Sequence, residues 1–260
     1  MAPLRIILTG ASDGIGRHIA QHYAGRGARL VLVARRQNML EEVMNEVTTL
    51  GGEALICAGD VRLRDTAQRA REMGVENFGG IDVAIMNAGR GGPTFIDEFS
   101  GEEAQRVMET NWLSAAWMIE AVLPVMRAQG FGKLVAVGSL AGYRGMPGSG
   151  AYNASKSALH ILAESVRVEL RGSGVAMLTI APGFVRTAMT APNEFPMPWL
   201  MEPEEAAQRI VRAIDRGRSL YRFPLGTSLA VRALQWMPNW LFDGLIGWGR
   251  KTGAKIGREK

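Results

Sequence analysis

The sequence predicts an α/β fold, a doubly wound parallel sheet with helices on both faces. Three observations predict it. Apolar runs of strand length alternate with longer stretches of helical periodicity along most of the chain, the pattern of a parallel sheet with crossover helices. The first run ends in a glycine-rich turn, Gly10-Ala11-Ser12-Asp13-Gly14-Ile15-Gly16, and such a turn before a helix offers backbone N–H groups to an anion. Another run, Leu134-Val135-Ala136-Val137-Gly138, ends at Ser139, so its hydroxyl falls at a strand's C-terminal edge, where open α/β sheets gather their ligands.

Composition sets the bounds. The 260 residues suit one large α/β domain or two small ones, and 47% apolar residues are enough for a well-buried core. A single cysteine, Cys57, excludes an intrachain disulfide and fits a reducing compartment. Arg5 leads directly into a strand-like run, with no apolar stretch of signal-peptide length, which argues against export. No run reaches the roughly 18 apolar residues that span a bilayer, so a cytoplasmic protein is expected. The net charge of +5 is unevenly spread. Residues 216–260 hold nine Lys/Arg and two Asp/Glu, a net of +7; residues 1–215 hold 21 and 23, a net of −2. The basic balance belongs to the tail, and no nucleic-acid motif accompanies it.

Taken in order, Arg5 to Thr9 is the first strand and Arg17 to Arg26 a helix. Gly10 permits a tight turn, Gly14 a close approach of backbone to a pyrophosphate, and Gly16 close packing of helix on sheet. Leu30 to Ala34 is the second strand and ends in Arg35-Arg36. A site for NAD puts an acid near there to hold the ribose hydroxyls; two guanidinium groups instead suit a 2′-phosphate, which argues for NADP over NAD. Asp13 is placed to cap the first helix. Asn38 to Leu50 is helical, with apolar Met39, Leu40, Val43, Met44 and Val47 at helical spacing. Ala54 to Ala58 is the third strand, Leu63 to Val75 a helix, and Ile81 to Met86 the fourth strand. Glu102 to Gln129 reads as one long helix holding a polar Asn111 among Val107, Met108 and Trp112. Lys133 to Gly138 is the fifth strand, Tyr152 to Arg171 a helix, and Val175 to Ala181 the sixth strand, closed by Pro182-Gly183. Ala188 to Met201 holds Pro192, Pro196 and Pro198, a density that argues for a loop. Glu202 to Arg216 is a further helix.

The chemistry centres on residues 139–156. If Tyr152 opens a helix, Lys156 lies one turn on, on the same face. A free phenol titrates near pH ~10. A neighbouring ammonium favours the phenolate and is expected to draw that value down, towards the range of general acid–base catalysis. Ser139, Tyr152 and Lys156, with Thr-Gly-x3-Gly-x-Gly at the N-terminal strand end, resemble the short-chain dehydrogenase/reductase family over about Ile6 to Ile214.

The resemblance implies a Rossmann-type domain over residues 1–215 and a carbonyl–alcohol oxidoreductase that uses NADP(H). It implies a catalytic set of Asn111, Ser139, Tyr152 and Lys156. It further implies a cofactor site of Gly10, Ser12, Gly14, Ile15 and Gly16, with Arg35 and Arg36, and with Asp60 and Val61 at the adenine. Asn87, Ala88 and Gly89, in place of the family's usual Asn-Asn-Ala-Gly, leave room for the cofactor; Tyr152 and Lys156 reach its ribose. Pro182, Gly183, Val185 and Thr187 would meet the carboxamide, Val185 through backbone and Thr187 through its hydroxyl. The catalytic helix offers a surface for a homodimer or homotetramer, and no metal is implied. Beyond residue 216 the pattern fails. Leu220-Tyr221-Arg222-Phe223-Pro224 replaces the strand and Gly-Gly pair with which many relatives finish.

The tail carries Leu229, Val231, Leu234, Trp236, Met237, Trp240, Leu241, Phe242, Leu245, Ile246 and Trp248, broken by Pro238 into two helical pieces, then Arg250, Lys251, Lys255, Arg258 and Lys260. Two readings stay open for it: packing over the substrate pocket or a dimer, or contact with the inner face of an anionic membrane. Two stay open for the whole chain as well: a reductase on a lipophilic carbonyl or alcohol, or a regulator that senses NADP(H) without turnover.

Overall fold

In the computed structural model of the protein, residues 2–92, 94–193 and 195–251 are described, the last five as backbone only. Among them one sheet holds β1 (Arg5–Thr9), β2 (Arg29–Ala34), β3 (Glu53–Ala58), β4 (Val83–Met86), β5 (Gly132–Val137), β6 (Val175–Pro182) and β7 (Leu220–Phe223). Their order across the sheet is β3-β2-β1-β4-β5-β6-β7, and every pair is parallel. The chain runs outwards from β1 to β3, then crosses back to β4 and runs the other way. The strand ends on either side of that switch form a crevice.

The central strands are apolar without alternation because both faces are covered. From Leu30 to Ala34 every residue of β2 is buried. On one face α1 (Gly14–Ala24), α2 (Gln37–Thr49) and α7 (Pro203–Asp215) close a core that includes Ile19, Leu40 and Ile210. On the other, α3 (Arg64–Phe78), α5 (Ser114–Gln129) and α6 (Gly150–Glu169) close a second core that includes Ala70, Val122 and Leu159.

The structure departs from the sequence reading in three places. The fourth strand begins at Val83, because Ile81 and Asp82 are committed elsewhere: the Ile81 N–H donates to Gln129, and the Asp82 carboxylate takes the guanidinium of Arg5 at 2.6 Å. The long helix is α4 (Gly101–Met108) and α5 joined by one π-helical segment, Glu109–Leu113, which contains Asn111. Lastly, Leu220 to Phe223 is a strand after all. It pairs with Thr179–Pro182, and the Gly183 N–H donates to the Phe223 carbonyl at 2.7 Å. An edge strand carrying Arg222 and only one fully buried residue gives little apolar signal. After it come α8 (Leu225–Trp236) and α9 (Asn239–Lys251), separated at Pro238 as the sequence predicts. Trp248, Arg250 and Lys251 have no described side chain, and Lys255, Arg258 and Lys260 lie outside the described residues.

Candidate active site

A cleft of about 790 Å³ opens along the C-terminal ends of the strands. At one end is the glycine turn. Gly10 and Gly14 have φ of +66° and +53°, a region that favours glycine. A Cβ on Gly16 would stand 2.1 Å from the Gly10 carbonyl oxygen, so this glycine seats α1 against the turn; it lies behind the cleft wall rather than on it. Asp13 caps α1 by accepting from the Gly14 N–H at 2.7 Å. Across the turn, Thr9 Oγ1 accepts from the N–H groups of Asn87 and Ala88, both at 3.0 Å, and Asn87 Nδ2 donates to the carbonyls of Thr9 and Gly10. These bonds tie the end of β4 to the end of β1 and fix the floor of the crevice.

Arg35 and Arg36 follow β2 and line the same end, with Ser12, Ile15, Asp60 and Val61. Arg36 donates to Ser12 Oγ at 3.2 Å and has the Asp13 carboxylate at 3.8 Å. Asp60 is held by Arg62 at 2.7 Å, and that hydrogen bond keeps its carboxyl below the usual carboxylate range. Arg62 also faces Glu109 at 3.5 Å.

Ser139, Tyr152 and Lys156 line the other end. Ser139 follows β5, and its Oγ accepts from the Ala141 N–H at 3.1 Å, capping the short 3-10 turn Leu140–Tyr143. Tyr152 stands in the first turn of α6, with its phenol hydrogen-bonded to Ser139. Lys156, one turn on, is buried; its Nζ donates to the Val137 carbonyl at 2.9 Å and lies 5.9 Å from the Tyr152 ring centroid. Burial pushes the lysine down to about 8. Burial also pushes the Tyr152 phenol up, and the Ser139 hydrogen bond pulls it only part of the way back. This corrects the expectation that Lys156 holds the phenol low. The ammonium spends its bond on a backbone carbonyl and sits over the ring, while the protein packed around the part-buried phenol disfavours its charged form.

Asn111 lies behind the wall, 1% exposed. Its Oδ1 accepts from the Arg90 N–H at 2.6 Å, and its Nδ2 donates to the Arg90 carbonyl and to Ser155 Oγ, both at 2.9 Å. Gly89 separates it from Lys156: a Cβ on Gly89 would lie 3.6 Å from Asn111 Oδ1 and 3.6 Å from Lys156 Nζ. The π segment turns this amide inwards, as such distortions often do at functional sites.

Pro182, Gly183, Val185 and Thr187 close the cleft from the end of β6. Beyond them the proline-rich segment is a loop, pinned at its base where Val185 bridges to Met201. Thr190 Oγ1 donates to the Val185 carbonyl at 2.7 Å, and Phe184 packs edge-on against Phe195.

One residue escaped the sequence reading. His160 follows Tyr152 and Lys156 at the next four-residue step of α6, and that repeat was the available signal. Its Nε2 accepts from the Ser139 N–H at 3.4 Å, and its ring fills the space above Gly138 and Gly142, where a Cβ would come within 2.1 and 2.9 Å. Burial, with Lys156 and Arg222 nearby, holds the imidazole down at about 4, so it is neutral at pH 7.

Residues 5–196 match the family model described as short chain dehydrogenase. An uncharacterized oxidoreductase of Myxococcus xanthus is 40% identical over 91% of this chain and 94% of its own length. Ketoacyl reductase HetN of Nostoc is 35% identical over 80% and 74%. Among solved structures, a short chain dehydrogenase/reductase from Burkholderia phymatum in complex with NAD superposes with a TM-score of 0.82 at 25% identity, covering 88% of this chain and 92% of that one. The fold, the crevice and these likenesses agree: the chain belongs to the short-chain dehydrogenase/reductase family of oxidoreductases.

Proposed function

We propose that the protein interconverts a carbonyl and an alcohol on a lipophilic substrate, using NADP(H), with Tyr152 as general acid and base. The observation that carries this reading is the arrangement of one cleft, with Ser139, Tyr152 and Lys156 at one end and, at the other, two arginines directly after β2 where the strand end offers no acid, Asp13 of the glycine turn being the carboxylate that faces Arg36. The residues fit a dinucleotide: Gly14 has no Cβ where one would press within 3.0 Å of Thr187, and Gly10 is equally bare against Ala88. When bound, the nicotinamide supplies or accepts hydride at the substrate carbon.

The remaining work falls to the chain. In reduction Tyr152 Oη gives its proton to the oxygen as negative charge develops there, which suits a phenol kept protonated by burial. Ser139 Oγ donates to the same oxygen and stabilises the charge. Lys156, at about 8, carries its charge at neutral pH yet sheds and regains a proton readily; it binds the ribose and helps restore the tyrosine's proton. Asn111 acts by position, fixing Arg90 and Ser155 behind the lysine. Arg35 and Arg36 pair with the 2′-phosphate, and Asp60 and Val61 border the adenine. Phe184, Phe195, Met189 and Trp199 make the adjoining loop apolar, which supports a lipophilic substrate, and the Nostoc relative's name puts a ketone on an acyl group. The reading includes a homo-oligomer paired through α6.

Titrating NADPH and NADH by fluorescence tests the cofactor, and NADPH oxidation over a panel of ketones and 3-oxoacyl thioesters tests the chemistry. NADPH is expected to bind roughly 10²-fold more tightly, the scale of a two-arginine phosphate contact of a few kcal/mol. Equal affinities would remove the arginines from the site. NADPH binding with no turnover on any carbonyl would leave a sensor of NADP(H).

A further inference from the structure

The last two helices are attached by their polar or singly buried residues and turn the rest of their apolar surface outwards. On α8 the buried side chains are Thr227 and Ser228, while Leu225 is 72% and Trp236 81% exposed, with Leu229 exposed between them. On α9 Phe242 is buried, with the Arg144 guanidinium 4.3 Å from its ring centroid, and Arg144 also donates to Asn239 Oδ1 at 2.9 Å. Trp240, 75% exposed, together with Leu241 and Leu245, faces solvent. A soluble chain rarely shows this many large apolar side chains on one short segment without something to cover them.

The charge of the segment is predominantly positive, with Asp243 the acid exposed on α9. Residues 216–260 carry a net +7 against −2 for the rest of the chain. Arg232 lies within the outward stripe of α8, and Arg250, Lys251, Lys255, Arg258 and Lys260 follow the apolar residues of α9 in sequence. We propose that the outward face of α8 and α9 docks into the interfacial layer of an anionic lipid bilayer, with Trp236 and Trp240 at headgroup depth and the net positive charge of the segment drawing it to the anionic surface. Indole rings, apolar with one N–H donor, suit that depth, and basic residues beside an apolar stripe add electrostatic attraction. A second copy of the chain fits less well, because pairing two such faces would bring two +7 segments together. Among the described residues no helix is long and apolar enough to cross a membrane, so the contact is peripheral. The face also adjoins the loop over the cleft: a Cβ on Gly226, at the start of α8, would meet the Trp199 indole at 2.8 Å.

The test is co-sedimentation of the full chain with vesicles of phosphatidylcholine alone and with 30% phosphatidylglycerol, at 0.1 and 1 M NaCl. Neither cofactor nor substrate is added, so the result stands apart from the proposed reaction. At least tenfold more protein is expected to pellet with the anionic vesicles at low salt. The excess should shrink at high salt, as the screening length falls from about 10 Å to about 3 Å. Trp236→Ser with Trp240→Ser should abolish the binding; both side chains are exposed, and an unchanged thermal unfolding curve would check the fold. As an independent reading, brominated lipid should quench the tryptophan emission of the full chain. A full chain left in the supernatant at low salt overturns the proposal. So does undiminished binding by the double variant, which would mean attraction through the basic end alone. A dimer that the double variant loses, without vesicle binding, would give the face to a second copy.

Discussion

Tyr152 and Lys156 are moved by the same force in directions set by their chemistry. Removing water disfavours the charged form of each, so the phenol rises and the ammonium falls to about 8. The phenol thereby stands above the ammonium, so transfer of a proton from the Lys156 ammonium to a Tyr152 phenolate runs downhill without an ion pair. Tyr152→Phe removes the transferable proton and little volume. It is expected to lower kcat by about 10²–10⁴-fold while leaving NADPH affinity within about threefold, because the ribose contact is assigned to Lys156. A phenylalanine variant that keeps most of its turnover would end the acid–base assignment. His160 makes a second prediction, on stability. Its folded value of about 4 lies below the ordinary 6.5, so between those values the unfolded chain binds more protons than the folded one. Stability therefore falls as pH drops through that window, and this group contributes no loss above it. In urea titrations at pH 7.5 and 4.5, the wild type should lose more of its midpoint than His160→Gln, whose amide oxygen can still accept from Ser139. Parallel losses would show that His160 does not titrate there.

At the scale of elements, legibility follows how each one buries its surface. β2 and β5 are covered on both faces and read as unbroken apolar runs, and the glycine turn reads from spacing because Gly16 has no alternative under the Gly10 carbonyl. The cleft brings together the glycine turn, Arg35, Arg36, Ser139, Tyr152 and Lys156, residues far apart in sequence. What stayed hidden depends on tertiary partners. β7 is an edge strand whose pairing with β6 supplies what its composition lacks. The π segment at Glu109–Leu113 has no periodicity of its own; Asn111 earns its place through Arg90 and Ser155, which arrive from two other parts of the chain. The phenol's shift is not legible in the sequence, because spacing gives distance along a helix and says nothing of which atom the ammonium addresses. The role of His160 is hidden as well, because its partner is the backbone N–H of Ser139, just beyond β5, rather than a side chain.

Across the whole molecule, two sets of exposed apolar residues have different neighbours. The tail set sits in a strongly basic segment. The set on α6 does not: Ile161 is 65% and Val168 54% exposed, seven residues apart and so on one side of the helix, with Ala154 another seven residues back and Ser165 between. The stripe itself carries no charge, and Glu164 beside it faces Arg167 at 4.0 Å, so like-charge repulsion between two copies is offset within each. That distinction is the ground for proposing different partners for the two surfaces, a second copy for α6 and lipid for α8 and α9. Light scattering on the full chain at tens of micromolar should therefore give twice the monomer mass. Ile161→Glu with Val168→Glu should give the monomer, since each buried aliphatic side chain contributes about 1.5–3 kcal/mol and a carboxylate in its place would be desolvated against its own symmetry mate. The expected rise in dissociation constant is at least about 10²-fold, with the unfolding midpoint of the separated monomer little changed because both positions lie outside the core. A full chain that is already monomeric, or a double variant that remains dimeric, would take the dimer away from this face.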